Sequence, residues 1–170
     1  GDPFIFGRGG EERALLMGHG IKVDIVPGIT AALGCGAASG IPMTHRDVAP
    51  AVTFVTGHGN GDVSLNWQVL AKLDHTLVVY MGVGAASLIS NNLIKYGMPA
   101  TIPVAVVGSG TTPAEKLVVG TLESLSLLIS KSNIIAPAII IIGDVVGQAG
   151  PEVLSLVDQA RASHDNTSRH

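Results

Sequence analysis

The stretch that decides the fold is "HTLVVYMGVGAASLISNNLIKYG", residues 75–97. Its first part, "HTLVVYMG", is a short apolar run rich in β-branched residues and closed by glycine, so it reads as a buried strand. Its second part, "GAASLISNNLIKYG", reads as a helix that stops at Gly97. A strand, a glycine turn and a helix in succession make the core of a βαβ unit.

The same alternation extends in both directions. Upstream come a loop (1–10), a helix (about 11–19), a short strand "KVDIVPG" (22–28) and a small-residue helix "ITAALGCGAASG" (29–40). A hinge-like stretch, "SGIPMTHRDVAP" (39–50), leads to a strand "AVTFVTG" (51–57) and a helix "VSLNWQVLAKLD" (63–74). Downstream are strands "IPVAVVGSG" (102–110) and "EKLVVGTL" (115–122), a helix "LESLSLLISKS" (122–132) and a strand "PAIIIIGDVV" (137–146). This order predicts an α/β fold with a mixed, mostly parallel sheet. The few residues between 110 and 115 predict one antiparallel hairpin.

Residues 48–149 hold enough strands and helices for a complete α/β domain, whereas 1–47 offer one strand and two helices, too little to fold alone. The first part therefore reads as the closing portion and linker of another α/β domain, its feeding strand lying before Gly1. Residues 150–170 are polar and end "ASHDNTSRH", which predicts a fraying, flexible tail.

Composition narrows the function. Of 170 residues 46% are hydrophobic and only 14% charged, so the chain is rich in core. Its longest apolar run, "IIAPAIIIIG", is ten residues with a proline inside, against roughly 20 for a membrane span. The net charge of −3 is dispersed, and no basic block supports nucleic-acid binding. Cys35 is the single cysteine, which excludes an internal disulfide and fits a cytoplasmic setting. It lies among Ala and Gly on a packing helix and reads as a buried structural residue. His19, His45 and His58 lack metal-ligand spacing, so no metal is expected.

Four strand-end loops share small residues and open backbone: "GDPFIFGRGG" (1–10), "PGITAA" (27–32), "YMGVGAA" (80–86) and "GSGTTP" (108–113). Such loops are where α/β sheets bind ligands, and glycine lets a ligand approach the main chain. A phosphate loop is excluded because the opening loop has neither the Lys nor the Ser/Thr of GxxxxGK[ST]. "GRGGEE" also lacks the third glycine of a dinucleotide fingerprint. Glu11 and Glu12 suit the first turn of a helix but oppose a phosphate. A cationic or neutral ligand fits better.

Read in order, "GDPFIFGRGGEE", "VPGITAALGCGAASGIPMTHRD", "FVTGHG", "TLVVYMG", "YGMPATIPVAVVGSGT" and "PAIIIIGDVVG" resemble the successive blocks of the tetrapyrrole methylase family. "GRGGEE" with "THRD" resembles those members that C-methylate uroporphyrinogen III. The resemblance implies a two-domain α/β fold, a homodimer, and S-adenosylmethionine bound between the domains as donor to two ring carbons. The implied product is precorrin-2, which leads to sirohaem or cobalamin. It implies cofactor contacts from Gly1, Asp2, Ile5, Thr30, Ala31, Met81 and Gly110, with Asp2 at the ribose or amino-acid end. It further implies contacts of Arg8, His45 and Arg46 with the substrate's carboxylates, since Arg forks match carboxylates. Arg8 also has Glu11 and Glu12 within reach, and Arg46 has Asp47. The family's GxGPG loop and the residues implicated in its catalysis have no counterpart among these blocks. The chain alone is accordingly expected to be inactive. The competing readings are a non-catalytic module that only dimerises, and another corrin-pathway methylase.

Overall fold

The apolar run at 76–80 has no polar face to offer water, and the computed structural model buries all five residues of that strand. It describes residues 1–57 and 65–167; His58 lies outside the described residues. The strands are β1 (Val52–Thr56), β2 (Thr76–Tyr80), β3 (Pro103–Gly108), β4 (Lys116–Thr121) and β5 (Ala138–Ile142). They form one sheet in the order β1-β2-β5-β3-β4. The central three are almost wholly buried, and β1 and β4 form the edges.

The sheet is mixed, as the sequence predicts, but the expected parallel majority is not found. Only β1 and β2 pair in parallel, while β2–β5, β5–β3 and β3–β4 are antiparallel. The cause is where the last strand goes. The register gives β1, β2 and β3 a common direction, as helical crossovers require. β5 then enters between β2 and β3, running the other way, and turns neighbours that would have been parallel into antiparallel ones. The hairpin expected from the short 110–115 link is present as β3–β4.

Helices cover both faces. Alternate residues of the strands, such as Leu77, Val79, Val104, Val106, Ile140 and Ile142, point to one core under α3 (Trp67–Leu70), α4 (Ala86–Lys95) and α5 (Leu125–Lys131). The residues between them, Val78, Tyr80, Ala105, Val107, Ile139 and Ile141, point to a second core under α2 (Ala31–Ser39) and α6 (Pro151–Thr167). This is the period-2 alternation of strands buried on both faces.

Four further departures from the sequence reading have local causes. "KVDIVPG" forms no strand, because among the described residues no strand lies beside it to take its backbone hydrogen bonds; Val26 is 80% exposed. α3 starts at Trp67, later than expected, where Asn66 Oδ1 accepts the Val69 N–H at 3.1 Å and fixes the helix start. β5 stops at Ile142, since Gly143 turns the chain at φ 138° into a 3-10 turn, Asp144–Gln148. The tail expected to fray is helical over Pro151–Thr167, because Val153 and Val157 reach the second core and are buried there. The first helix, α1 (Gly9–Gly18), buries none of its side chains, and its first turn carries Glu11 and Glu12 as predicted.

Candidate functional site

A cleft of about 890 Å³ opens where β2 and β3 end and β5 begins. Its walls include Ala31 and Cys35 from α2, Tyr80, Met81, Val83 and Gly84 at the end of β2, and Ser109, Gly110 and Thr112 after β3. Ala136 to Ile139, leading into β5, complete it. The strand geometry explains the location. β1, β2 and β3 share one direction, so their carboxyl ends and the amino end of the inserted β5 meet at one edge of the sheet.

The loops at this edge are held by close backbone contacts. Gly57 N–H donates to Tyr80 O at 2.7 Å, and a Cβ on Gly57 would stand 2.7 Å from Gly82 Cα. No side chain fits there. Ser109 N–H donates to Pro137 O at 2.9 Å, joining the β3 loop to the start of β5. The β3 loop is further tied by Glu115, whose Oε2 accepts the Thr111 N–H at 2.6 Å, and by Thr112 Oγ1 donating to Ser109 O at 2.7 Å.

Backbone strain gathers at the same edge. Met81, Ser109, Thr111 and Phe6 take positive φ between 49° and 65° without being glycine. Such conformations are uncommon for residues with a Cβ and concentrate at functional sites. Met81 and Ser109 stand on the cleft wall itself.

All four small-residue loops converge here. The opening loop reaches the edge through Phe6, whose ring lies 4.8 Å from that of Tyr80. Asp2 ties it to the second loop: its carboxylate accepts Phe4 N–H at 2.8 Å and Gly28 N–H at 3.0 Å. Those donors, Gly28 first, hold the Asp2 carboxyl below the ordinary 3.8. A Cβ on Gly28 would overlap the Gly1 carbonyl, so the two loops lie backbone against backbone. The second loop is held by Tyr80, whose hydroxyl meets Thr30 Oγ1 at 2.6 Å.

Of the expected contact residues, Ala31, Met81 and Gly110 line the cleft, and Thr30, next to Ala31 in the chain, is buried. Gly1, Asp2 and Ile5 belong to the adjoining loop and are not on the wall. Arg8 is at the surface, its Nε donating to Glu11 Oε2 at 2.9 Å. His45 is half-buried in a turn closed by its own bridge to Ala49, and its Nδ1 accepts the Asp47 N–H at 3.3 Å. Arg46 is exposed and, among the described residues, pairs with no carboxylate. None of these three is on the cleft wall.

The sequence reading passed over Tyr80 and the 136–139 wall. A rule that looks to the carboxyl ends of strands overlooks β5, which presents its amino end. Cys35 is buried as expected, and burial, followed by Glu115, pushes its thiol up; its place on the cleft wall was not foreseen. Chemically the wall is mostly apolar, and among the described residues no lysine, arginine, histidine or carboxylate lines it. Such a cleft takes a flat, largely uncharged body and offers main-chain groups to its polar edge. Among the described residues no cluster of His, Cys, Asp or Glu could hold a metal ion. Among them, too, no helix is long and apolar enough to cross a membrane.

Fold and cleft together define an α/β ligand-binding module with its site at the strand ends. The chain belongs to the tetrapyrrole (corrin/porphyrin) methylases, whose family model matches residues 1–126. It is 52% identical over 147 residues to a sirohaem synthase of Escherichia coli O1:K1, covering 86% of this chain and 32% of that protein. The sirohaem synthase of Nitrosospira multiformis is 48% identical over the same length, with 31% of it covered. The chain thus spans about a third of the length of these curated relatives. Among solved structures it is similar to uroporphyrin-III C-methyltransferase from Thermus thermophilus complexed with S-adenyl homocysteine. The TM-score is 0.74 at 39% identity, over 86% of this chain and 64% of that one. It is also similar to the cobalamin biosynthetic enzyme cobalt precorrin-4 methyltransferase, CbiF, with a TM-score of 0.79 at 28% identity, over 85% and 62%.

Proposed function

We propose that this chain forms one side of the S-adenosylmethionine site of an enzyme that methylates uroporphyrinogen III at two ring carbons. The product would be precorrin-2, for sirohaem and cobalamin synthesis. The observation that carries this reading is the meeting of Ala31, Met81 and Gly110 on one apolar cleft at the sheet's edge. The Thermus thermophilus relative, which binds S-adenyl homocysteine (S-adenosylhomocysteine), supports the cofactor class.

The lining suits that cofactor. Among the described residues it carries no cation for a phosphate, and S-adenosylmethionine has no phosphate. Ala31, Met81 and Gly110 would hold the cofactor, with Thr30 next to Ala31 in the chain. Gly1, Asp2 and Ile5 would border it from the loop that Asp2 fastens to Gly28. When bound, the cofactor supplies a methyl group on a sulfonium. Among the described residues the lining holds no carboxylate that would stabilise this cation more before transfer than during it. The chain's own work is therefore positioning.

The substrate's eight carboxylates call for cations, and Arg8, His45 and Arg46 are the proposed partners. Arg46 is exposed and unpaired among the described residues, which supports its role. We read residues 1–47 as the closing part of a first domain and 48–149 as a second, within a cytoplasmic homodimer. No side chain before Thr30 is buried, which supports a further protein surface against this part. Among the described residues no histidine, lysine or carboxylate lines the cleft to take the ring proton, which supports a need for groups from outside them in turnover. A module that only associates is the competing reading, favoured by the exposed Leu15, Met17 and Ile29.

Calorimetric titration of S-adenosylhomocysteine into the chain decides between them. Micromolar binding is expected, and its absence overturns the cofactor reading. Incubation with S-adenosylmethionine and uroporphyrinogen III should give no methylated product; appreciable precorrin-2 would overturn the claim of inactivity.

A further inference from the structure

We propose that Tyr80 is a positioning residue, whose hydroxyl caps α2 from the end of β2 and holds the Thr30–Ala31 wall of the cleft in place. α2 begins without a cap of its own. Thr30 stands at the N-cap position with the usual extended backbone (φ −67°, ψ 152°), but its side chain makes no capping bond. Its carbonyl accepts the first helical bonds, from Leu33 and Gly34 at 3.0 and 3.1 Å. The Ala32 N–H, which a serine or threonine cap would ordinarily help to satisfy, donates instead to the Tyr80 hydroxyl at 3.0 Å. The same hydroxyl meets Thr30 Oγ1 at 2.6 Å.

One phenol oxygen therefore does the work of a cap from 48 residues away in the chain. Thr30, Ala32 and Tyr80 are 6%, 0% and 7% exposed, so water cannot replace it. The phenol is itself fixed. Tyr80 ends β2 in register with Ile139 of β5, its carbonyl accepts the Gly57 N–H, and Phe6 and Phe54 lie against its ring at 4.8 and 5.9 Å. The next residue, Met81, turns into the left-handed region and lines the cleft from the end of β2. Tyr80 thus fixes the separation of two walls belonging to different parts of the chain. Removing the hydroxyl leaves an N–H and a threonine hydroxyl unpaired in a dry site. The start of α2 is then free to shift.

The test uses the whole chain as Tyr80→Phe, which keeps the ring contacts. Amide exchange should speed up at Ala32 by at least about tenfold more than at Ile140 in the sheet. Equal changes at both, or none at Ala32, would overturn the cap. The consequence for binding rests on the cofactor reading. The dissociation constant for S-adenosylhomocysteine should rise about tenfold in Tyr80→Phe, and an unchanged constant would overturn the positioning role. Thr30→Val should show a smaller change of the same sign, and Thr30→Ser should restore the wild-type value. This pair decides the matter if Tyr80→Phe fails to fold. Should the wild-type chain not bind S-adenosylhomocysteine, the cofactor reading falls, while exchange at Ala32 still decides the role of Tyr80.

Discussion

Cys35 and Gly110 meet across the cleft wall: the Cys35 Sγ occupies the space where a Cβ on Gly110 would stand. The contact joins α2 to the loop after β3, and so ties the first part of the chain to the sheet. Gly110 is required here by space, and its φ is not in the positive range.

Gly110→Ala should therefore destabilise the chain by about 1–3 kcal/mol, the ordinary cost of overfilling a packed interior. Val107 Cγ1, at 3.2 Å from the same point, closes the alternative route. In Cys35→Ala/Gly110→Ala the new methyl takes the volume the thiol gives up, so much of the loss should return. Urea midpoints of the two single variants and the double variant measure this coupling. Strict additivity would refute it.

Asp2 makes a pH-dependent clasp. Its folded-state pKa is held down, first by the Gly28 N–H and then by the Phe4 N–H. A depressed carboxyl contributes stability above its unfolded value of about 3.8. That contribution fades as pH falls below this value and is lost once the folded-state pKa is passed. The Gly28 amide resonance should accordingly titrate with a midpoint below 3.8. In Asp2→Asn the titration should vanish and Gly28 exchange should quicken. A Gly28 amide insensitive to acid would remove the clasp.

What was legible in the sequence was whatever depends on one strand or helix at a time. No alternation of polar and apolar residues marks 76–80 or 138–142, and these runs declared themselves as buried strands through composition alone. The small-residue loops declared the cleft, since Gly28, Gly82 and Gly110 have no room for a side chain. Partnership was not legible. Nothing within 137–142 says that β5 will enter between β2 and β3, and this hid both the antiparallel majority and the 136–139 wall. "KVDIVPG" misled for the same reason, since a strand is made by its neighbour. Tyr80 was hidden because its role needs Thr30 and Ala32, which only the fold brings to it.

Arg8 separates stability from recognition. Its ion pair with Glu11 joins side chains that are 82% and 71% exposed, in the i, i+3 relation on one helical turn. Pairs of this kind contribute little in water. Arg8→Ala should leave the urea midpoint of the chain essentially where it is. If Arg8 binds a carboxylate of the substrate, affinity for the tetrapyrrole in an enzyme that turns over should nevertheless fall severalfold. A large stability change would assign Arg8 to structure, and unaltered affinity would remove it from the substrate site.

α1 and the segment after it should make the chain associate. Leu15, Leu16 and Met17 follow one another in a helix that buries nothing, with Leu15 65% exposed; Ile21, Val26 and Ile29, in the segment after it, are exposed as well. Scattered exposed apolar residues are normal, but a cluster of this density marks a surface that another protein covers, or that aggregates. Sedimentation velocity over a range of concentrations should show the weight-average mass rising with concentration. Leu15→Glu with Val26→Lys should suppress that rise. Neither side chain is buried, so the urea midpoint of the sheet should stay where it is. A monodisperse monomer at high concentration would show that this surface has no affinity for its own kind, and a fall in the midpoint would show that α1 supports the core despite burying no side chain of its own.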